Sequence, residues 1–237
     1  MNHSLGIAMQ ARLTARGVWR GIIAIAPIAI FVVPFGMAYG VAATESGLTL
    51  PQTVLMSAFV FSGAAQFASL EFWNADSIAF GSLTLVVLAL NARHIVIGAA
   101  ISPWVNQLPI GKRVLALSFL SDVNFTDSQA RFKSGETDVG ILLGGGLILW
   151  STWVVGTALG AIGGALIGAP EALGIDVVMV CFFAAAVVNK FEDRSLIIPV
   201  LVASAVSVIT LDIMPTGWNV IVGALAAASL EVLRNAN

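Results

Sequence analysis

Residues Gly81 to Ala100, GSLTLVVLALNARHIVIGAA, set the first limit on what this chain can fold into. They make an apolar run about as long as the ~20 residues a membrane-spanning helix needs. Yet Asn91, Arg93 and His94 stand inside it. A cation at the middle of a membrane helix costs roughly 3 kcal/mol on the mildest scale. Arg93 must therefore be paired, hydrated, or extended toward the membrane surface. Any fold for this chain has to supply one of those solutions.

The rest of the chain is of the same kind. Hydrophobic residues make up 58% and charged residues 10%, with a mean hydropathy of +0.96. A soluble chain carries about 25% charged residues. The composition predicts an all-α, polytopic integral membrane protein, because helices satisfy their own backbone in lipid. The 237 residues hold roughly seven or eight spans at ~25 residues per span and loop. That leaves one transmembrane domain and no sizeable soluble one. Cys181 is the one cysteine, so no internal disulfide forms, and its apolar surroundings make it a small core residue. The polar, basic first twenty residues lack a signal-peptide pattern, so the first span is expected to direct insertion.

Arg12, Arg16 and Arg20 recur every four residues, which on a helix is one face suited to anionic headgroups. Span one is expected over Gly21–Ala43. There Pro34-Phe35-Gly36 either breaks the helix and offers backbone groups to a substrate, or kinks it beside a Gly36-xxx-Gly40 packing face. Span two is expected over Pro51–Trp73. Ser62, Gln66 and Ser69 form a polar stripe on it, and Gly63 admits a neighbouring backbone. Gln66 reads either as a ligand contact or as a hydrogen bond between helices. Span three holds Asn91, Arg93 and His94.

Residues 112–133 are apolar at first and then carry Asp122, Asn124, Asp127 and Gln129. As one helix they would place Ser118, Asp122, Thr126 and Gln129 on a single face, either in a polar-faced span or in an interfacial helix. If they cross the membrane, most lysines and arginines fall on the side of the N-terminus. The positive-inside tendency therefore favours eight spans with both termini cytoplasmic. Asp122 then lies at membrane depth, as the natural counter-charge to Arg93.

Span five, Val139–Gly168, carries Gly156, Gly160, Gly164 and Gly168 at every fourth residue, a smooth packing ridge. Span six is Asp176–Asn189, followed by a mixed-charge turn at Lys190–Arg194. Span seven is Leu196–Leu211 and span eight Trp218–Leu233. Trp19, Trp73, Trp104 and Trp218 fall near span ends, as an interfacial aromatic belt requires. Phe31-Val-Val…Gly40 resembles Trp153-Val-Val…Gly160, a faint echo that would make residues 18–133 and 139–235 two structural repeats.

Several functions have no support. There is no phosphate-binding GxxxxGK[ST] loop and no Cys/His cluster with metal-ligand spacing. No metal or other cofactor and no nucleic-acid partner is expected. Ser62, His94 and Asp122 could be imagined as a hydrolytic triad, but no GxSxG elbow surrounds Ser62, so an enzyme is not expected. A membrane scaffold would explain the glycine ridge, yet would leave Asn91, Arg93, His94 and Asp122 without a purpose.

Taken in order, these motifs resemble the AzlC family of branched-chain amino-acid permeases. Pro34-Phe35-Gly36 with Gly40 is similar to that family's first-span motif, and Phe61-Ser-Gly-Ala-Ala-Gln66-Phe to its Gly-Ala-x-Gln motif. Asn91-Ala-Arg93-His94, followed by Gly98 and Pro103, is similar to its Asn-x-Arg-His motif. Asp122 with Phe125 matches its Asp-Glu-x-Phe motif, except that Val123 replaces the usual second acid. A mechanism needing two carboxylates there finds only one. The resemblance implies a cytoplasmic-membrane exporter of valine, leucine, isoleucine and methionine, working with a small hydrophobic AzlD-type subunit.

An amino-acid zwitterion needs an anion site, a cation site and an apolar pocket. On this reading Pro34–Gly36, Gly63 and Gln66 serve the substrate carboxylate. Asp122 pairs with Arg93 or with the ammonium group, and Phe35 and Phe67 line the apolar part. If export is coupled to protons, Asp122 or His94 changes protonation, and histidine suits this because its ordinary pKa is about 6.5.

Overall fold

A computed structural model of the chain describes residues 10–70, 72–73, 80–167, 197–214 and 218–235. Among these residues all regular structure is helical: α1 (Ala15–Ala29), α2 (Val32–Glu45), α3 (Leu50–Phe59), α4 (Gly63–Leu70), α5 (Phe80–Asn91), α6 (Arg93–Val105), α7 (Ile110–Ser118), α8 (Asp122–Lys133), α9 (Gly140–Ile167), α10 (Ile197–Thr210) and α11 (Trp218–Asn235). The expected sixth span with Cys181, the Lys190–Arg194 turn and Gly168 lie outside the described residues.

Leu83–Val105 and Gly140–Gly164 are long and apolar enough to cross a membrane. The pair α1 and α2 would add a third such segment if they are one broken span. Large apolar side chains stand on the outside of these segments, with Ile95 76% and Phe31 72% exposed. An outward apolar surface of this extent is what lipid, not water, accommodates.

The first half of the chain is more interrupted than its hydropathy suggests. Of the two readings of Pro34-Phe35-Gly36, a break there is not what forms: α1 ends at Ala29 and α2 starts at Val32, so the gap is Ile30–Phe31. Pro34 sits in the first turn of α2, where a backbone N–H has no helical partner to lose. The stretch Pro51–Trp73 is also two helices, parted at Val60–Ser62. Gly81–Ala100 is parted at the single residue Ala92, where the Ile95 N–H donates to the Ala92 carbonyl at 3.0 Å in a tightened turn.

Residues 112–133 are not one helix either, so Ser118 does not share a continuous helical face with Asp122, Thr126 and Gln129. The cause is local. The Asn124 carboxamide oxygen accepts from the Ser121 N–H at 2.7 Å and the Ser121 hydroxyl at 3.0 Å. This reciprocal cap starts a new helix at Asp122.

The chain forms two compact units, residues 1–34 with 92–156, and 35–91 with 157–237. In the first, Ile101, Trp104, Val105, Leu108, Ala116, Leu120, Val139 and Leu142 form the core. Trp104 is buried there, stacked on Phe132 with ring centroids 5.5 Å apart. It is a core residue and not part of an interfacial belt, because α8 covers it. Arg12 is likewise not on the α1 face with Arg16 and Arg20, since the helix starts only at Ala15. Instead its N–H donates to the Thr137 carbonyl at 2.9 Å, and its carbonyl accepts from the Val139 N–H at 2.8 Å.

Close backbone approach through glycine holds each unit together. In the first, a side chain on Gly21 would strike the Ile141 carbonyl, and one on Gly144 the Val18 carbonyl, so α1 and α9 run in contact. In the second, Gly160 faces the Met37 carbonyl, Gly164 faces Val41 and Gly40 faces the Thr157 carbonyl. The glycine ridge of span five thus packs on α2, as small-residue faces do in membranes. In the same unit the close approach of α10 and α11 is seen at Gly223, which faces the Ala203 carbonyl.

Candidate functional site

The sequence-selected residues fall into the two units separately. Pro34, Arg93, His94 and Asp122 belong to the first, and Phe35, Gly36, Gly63, Gln66 and Asn91 to the second.

In the first unit the structure brings Arg93 and Asp122 together. Arg93 Nη1 lies 2.5 Å from Asp122 Oδ2, with the two side chains 45% and 50% exposed. Arg93 is the first residue of α6 and Asp122 the first of α8. A helix start carries partial positive charge, which suits the carboxylate and not the guanidinium. Asp122 therefore supplies the counter-charge that both the apolar surroundings and the α6 dipole make Arg93 require. His94 follows Arg93 in the first turn of α6 and is half-buried. Pro34 is exposed at the start of α2.

In the second unit Gln66 is fully buried at the centre of a polar cluster. Its Nε2 donates to the Ser57 hydroxyl at 3.1 Å, and Ser57 shares a 2.8 Å hydrogen bond with the Thr157 hydroxyl. Ser69 donates to the Gln66 carbonyl at 2.6 Å. Ser62, Gln66 and Ser69 are all buried, so the polar stripe is one buried face although its helix is interrupted. The Ser62 hydroxyl has no hydrogen-bond partner among the described residues. Tyr39 packs edge-on against Phe67 at 5.5 Å and donates to Met56 Sδ at 2.9 Å. Gly63 opens α4, Gly36 is buried in α2, and Phe35 beside it is half-buried. Asn91 ends α5, where its amide donates to the Val87 carbonyl at 2.9 Å.

One ion pair beside paired helix starts can bind a molecule carrying both charges, by exchanging internal partners for those of the ligand. The buried cluster offers hydroxyl and amide groups and an apolar wall in Phe67 and Tyr39.

A family model for AzlC protein matches residues 27–167, which contain every residue of both arrangements. The chain belongs to the AzlC family. Among relatives, the inner membrane protein YgaZ of Escherichia coli K12 is 28% identical over 198 residues, 80% of each chain. An uncharacterized membrane protein of Archaeoglobus fulgidus is 29% identical over 152 residues, 61% of this chain and 62% of that one. No solved structure matches. With its apolar helices, this AzlC-family chain is a membrane protein.

Residue-type reasoning passed over three features. Asn124 is fully buried and joins the α7–α8 break to α9, its amide donating to the Phe119 and Leu142 carbonyls at 2.8 and 2.9 Å. Asp138 is buried and accepts from the Thr14 N–H at 3.1 Å, the Gly140 N–H at 2.9 Å and the Thr14 hydroxyl. Gly17-xxx-Gly21 and Gly140-xxx-Gly144 carry the α1–α9 contact, and their four-residue spacing is a signal the sequence does hold.

Proposed function

We propose that this AzlC-family protein is the large subunit of a secondary active exporter of branched-chain amino acids, and not an enzyme. The Arg93–Asp122 pair, standing at the starts of two half-helices, is the observation that carries this reading. A zwitterion's carboxylate can take the place of Asp122 against the Arg93 guanidinium, and its ammonium the place of Arg93 against the Asp122 carboxylate, in one step. Interrupted helices with polar starts at membrane depth are the usual means of binding such substrates. Valine, leucine, isoleucine and methionine are the substrates the family resemblance implies, and apolar side chains such as Phe35 and Phe67 suit them.

The chain is then a seven- or eight-span protein of the cytoplasmic membrane with both termini inside, driven by the proton-motive force. A small AzlD-type subunit completes it. Counterflow of labelled valine in sealed proteoliposomes, with and without that subunit, tests the reading. Exchange above protein-free vesicles in either preparation is expected. Absence of exchange in both would leave a membrane scaffold as the better account of the glycine-packed helices.

A further inference from the structure

Within the first unit, away from Arg93 and Asp122, lies an open cavity of about 580 Å³. Gln10, Arg12, Arg20, Arg131 and the loop Ser134–Thr137 line it. Three arginines and one carboxylate residue, Glu136, are therefore among its lining residues. That carboxylate is already occupied: Oε2 accepts from Arg20 at 2.7 Å, and Oε1 accepts from the Thr137 and Asp138 N–H groups at 2.9 Å each. Arg131 holds Asp127 at 2.8 Å. Among the described residues nothing pairs with the Arg12 guanidinium, although its main chain is clamped on both sides by Thr137 and Val139. Arg20 and Arg131 are thus matched by Glu136 and Asp127, and the charge left over in this concavity is that of Arg12, whose main chain is held in place beside them.

We propose that this cavity binds a phosphate group, carried by an anionic lipid or free in solution. The guanidinium fork matches phosphate oxygens in pairs, which a simple point charge does not. The cavity also has the right height for a headgroup. Its loop ends at Thr137, just before the apolar segment Gly140–Gly164 that is long enough to cross a membrane. Charges at that level meet the phosphate layer. Ser134 and Thr137 also line the same space.

Arg12→Gln is the decisive variant, because the bridge to Thr137 and Val139 uses only the Arg12 main chain and survives the change. Arg16→Gln is its control, since Arg16 is exposed and does not line the cavity. The full chain is purified in mild detergent. Native mass spectrometry measures retention of phosphatidylglycerol against phosphatidylcholine, and a thermal-shift titration in lipid-free detergent measures inorganic phosphate. Preferential retention of phosphatidylglycerol, weakened at least about tenfold by Arg12→Gln and unchanged by Arg16→Gln, is expected for a lipid ligand. Stabilisation by inorganic phosphate with the same variant pattern, and no lipid preference, assigns the site to a soluble phosphate. Binding of neither, or equal losses in both variants, overturns the proposal.

Discussion

Arg93 Nη1 bonds Asp122 Oδ2 at 2.5 Å, tying the first residue of one helix to the first residue of another. The relationship is nearly symmetric, since each residue sits at a helix start with similar exposure. Exchanging the charges, Arg93→Asp with Asp122→Arg, would move the unfavourable dipole contact from α6 to α8 without increasing it. The double variant is therefore expected to fold, eluting from size exclusion like the parent. Arg93→Asp alone places two carboxylates together and is expected to lower expression and melting temperature. Valine counterflow is expected to stay absent in the folded double variant if the pair meets substrate. Restored counterflow would show that the pair only holds α6 to α8.

The glycines of α9 separate into positions with and without space. A Cβ at Gly160 collides with the Met37 carbonyl, which belongs to backbone and cannot swing away, whereas a Cβ at Gly163 meets nothing within 4 Å. Gly160→Ala should destabilise by roughly 1–3 kcal/mol through overpacking. Gly163→Ala should be neutral or gain up to about 1 kcal/mol from helix propensity. Thermal unfolding in detergent compares the two. Equal melting temperatures would mean that α2 does not press on α9 at Gly160.

Much of this was legible in the sequence, and the shortfalls have physical causes. Hydropathy located the apolar segments, and the four-residue glycine period located the α9 face that meets Met37 and Val41. The Arg93–Asp122 pair followed from the cost of an unpaired cation in lipid. The breaks did not follow. Proline seemed to mark one at Pro34, but proline is tolerated in a first helical turn. The break came instead at Ile30–Phe31, which carry no turn-forming residue. Ser121 and Asn124 form a cap whose pattern, Ser-x-x-Asn, lacks the usual glutamate or glutamine. Trp104 looked interfacial because a tryptophan near a span end does not reveal what covers it. Here Phe132 does.

Asp138 serves two helix starts at once. Its carboxylate accepts from Thr14, which caps α1, and from the Gly140 N–H at the beginning of α9. Asp138→Ala removes these acceptors from a buried place, and each donor left unpaired costs roughly 1–3 kcal/mol. A fall in melting temperature larger than that of any exposed-residue control is expected. Asp138→Asn keeps the volume but offers one carbonyl oxygen, and should fall between. A stable Asp138→Ala protein would show that the α1 and α9 starts are held by the glycine contacts alone.

Glu136 gives the first unit a pH dependence of definite sign. Burial alone would raise its pKa, but the Asp138 N–H, the Arg20 guanidinium and the Thr137 N–H outweigh that and hold it below the ordinary glutamate value of 4.5. A carboxyl whose folded pKa is depressed contributes stability above its unfolded value and loses it as pH falls through the folded one. Glu136→Gln is therefore expected to lower stability near pH 7, by about 1 kcal/mol given the half-exposed Arg20 partner. The difference from the parent should shrink below pH 4.5 and vanish once the parent's Glu136 is itself protonated. Melting temperatures of the two proteins from pH 7 to pH 3, at constant ionic strength, check this. A gap that persists unchanged at the acid end would assign the effect to packing and not to the charge on Glu136.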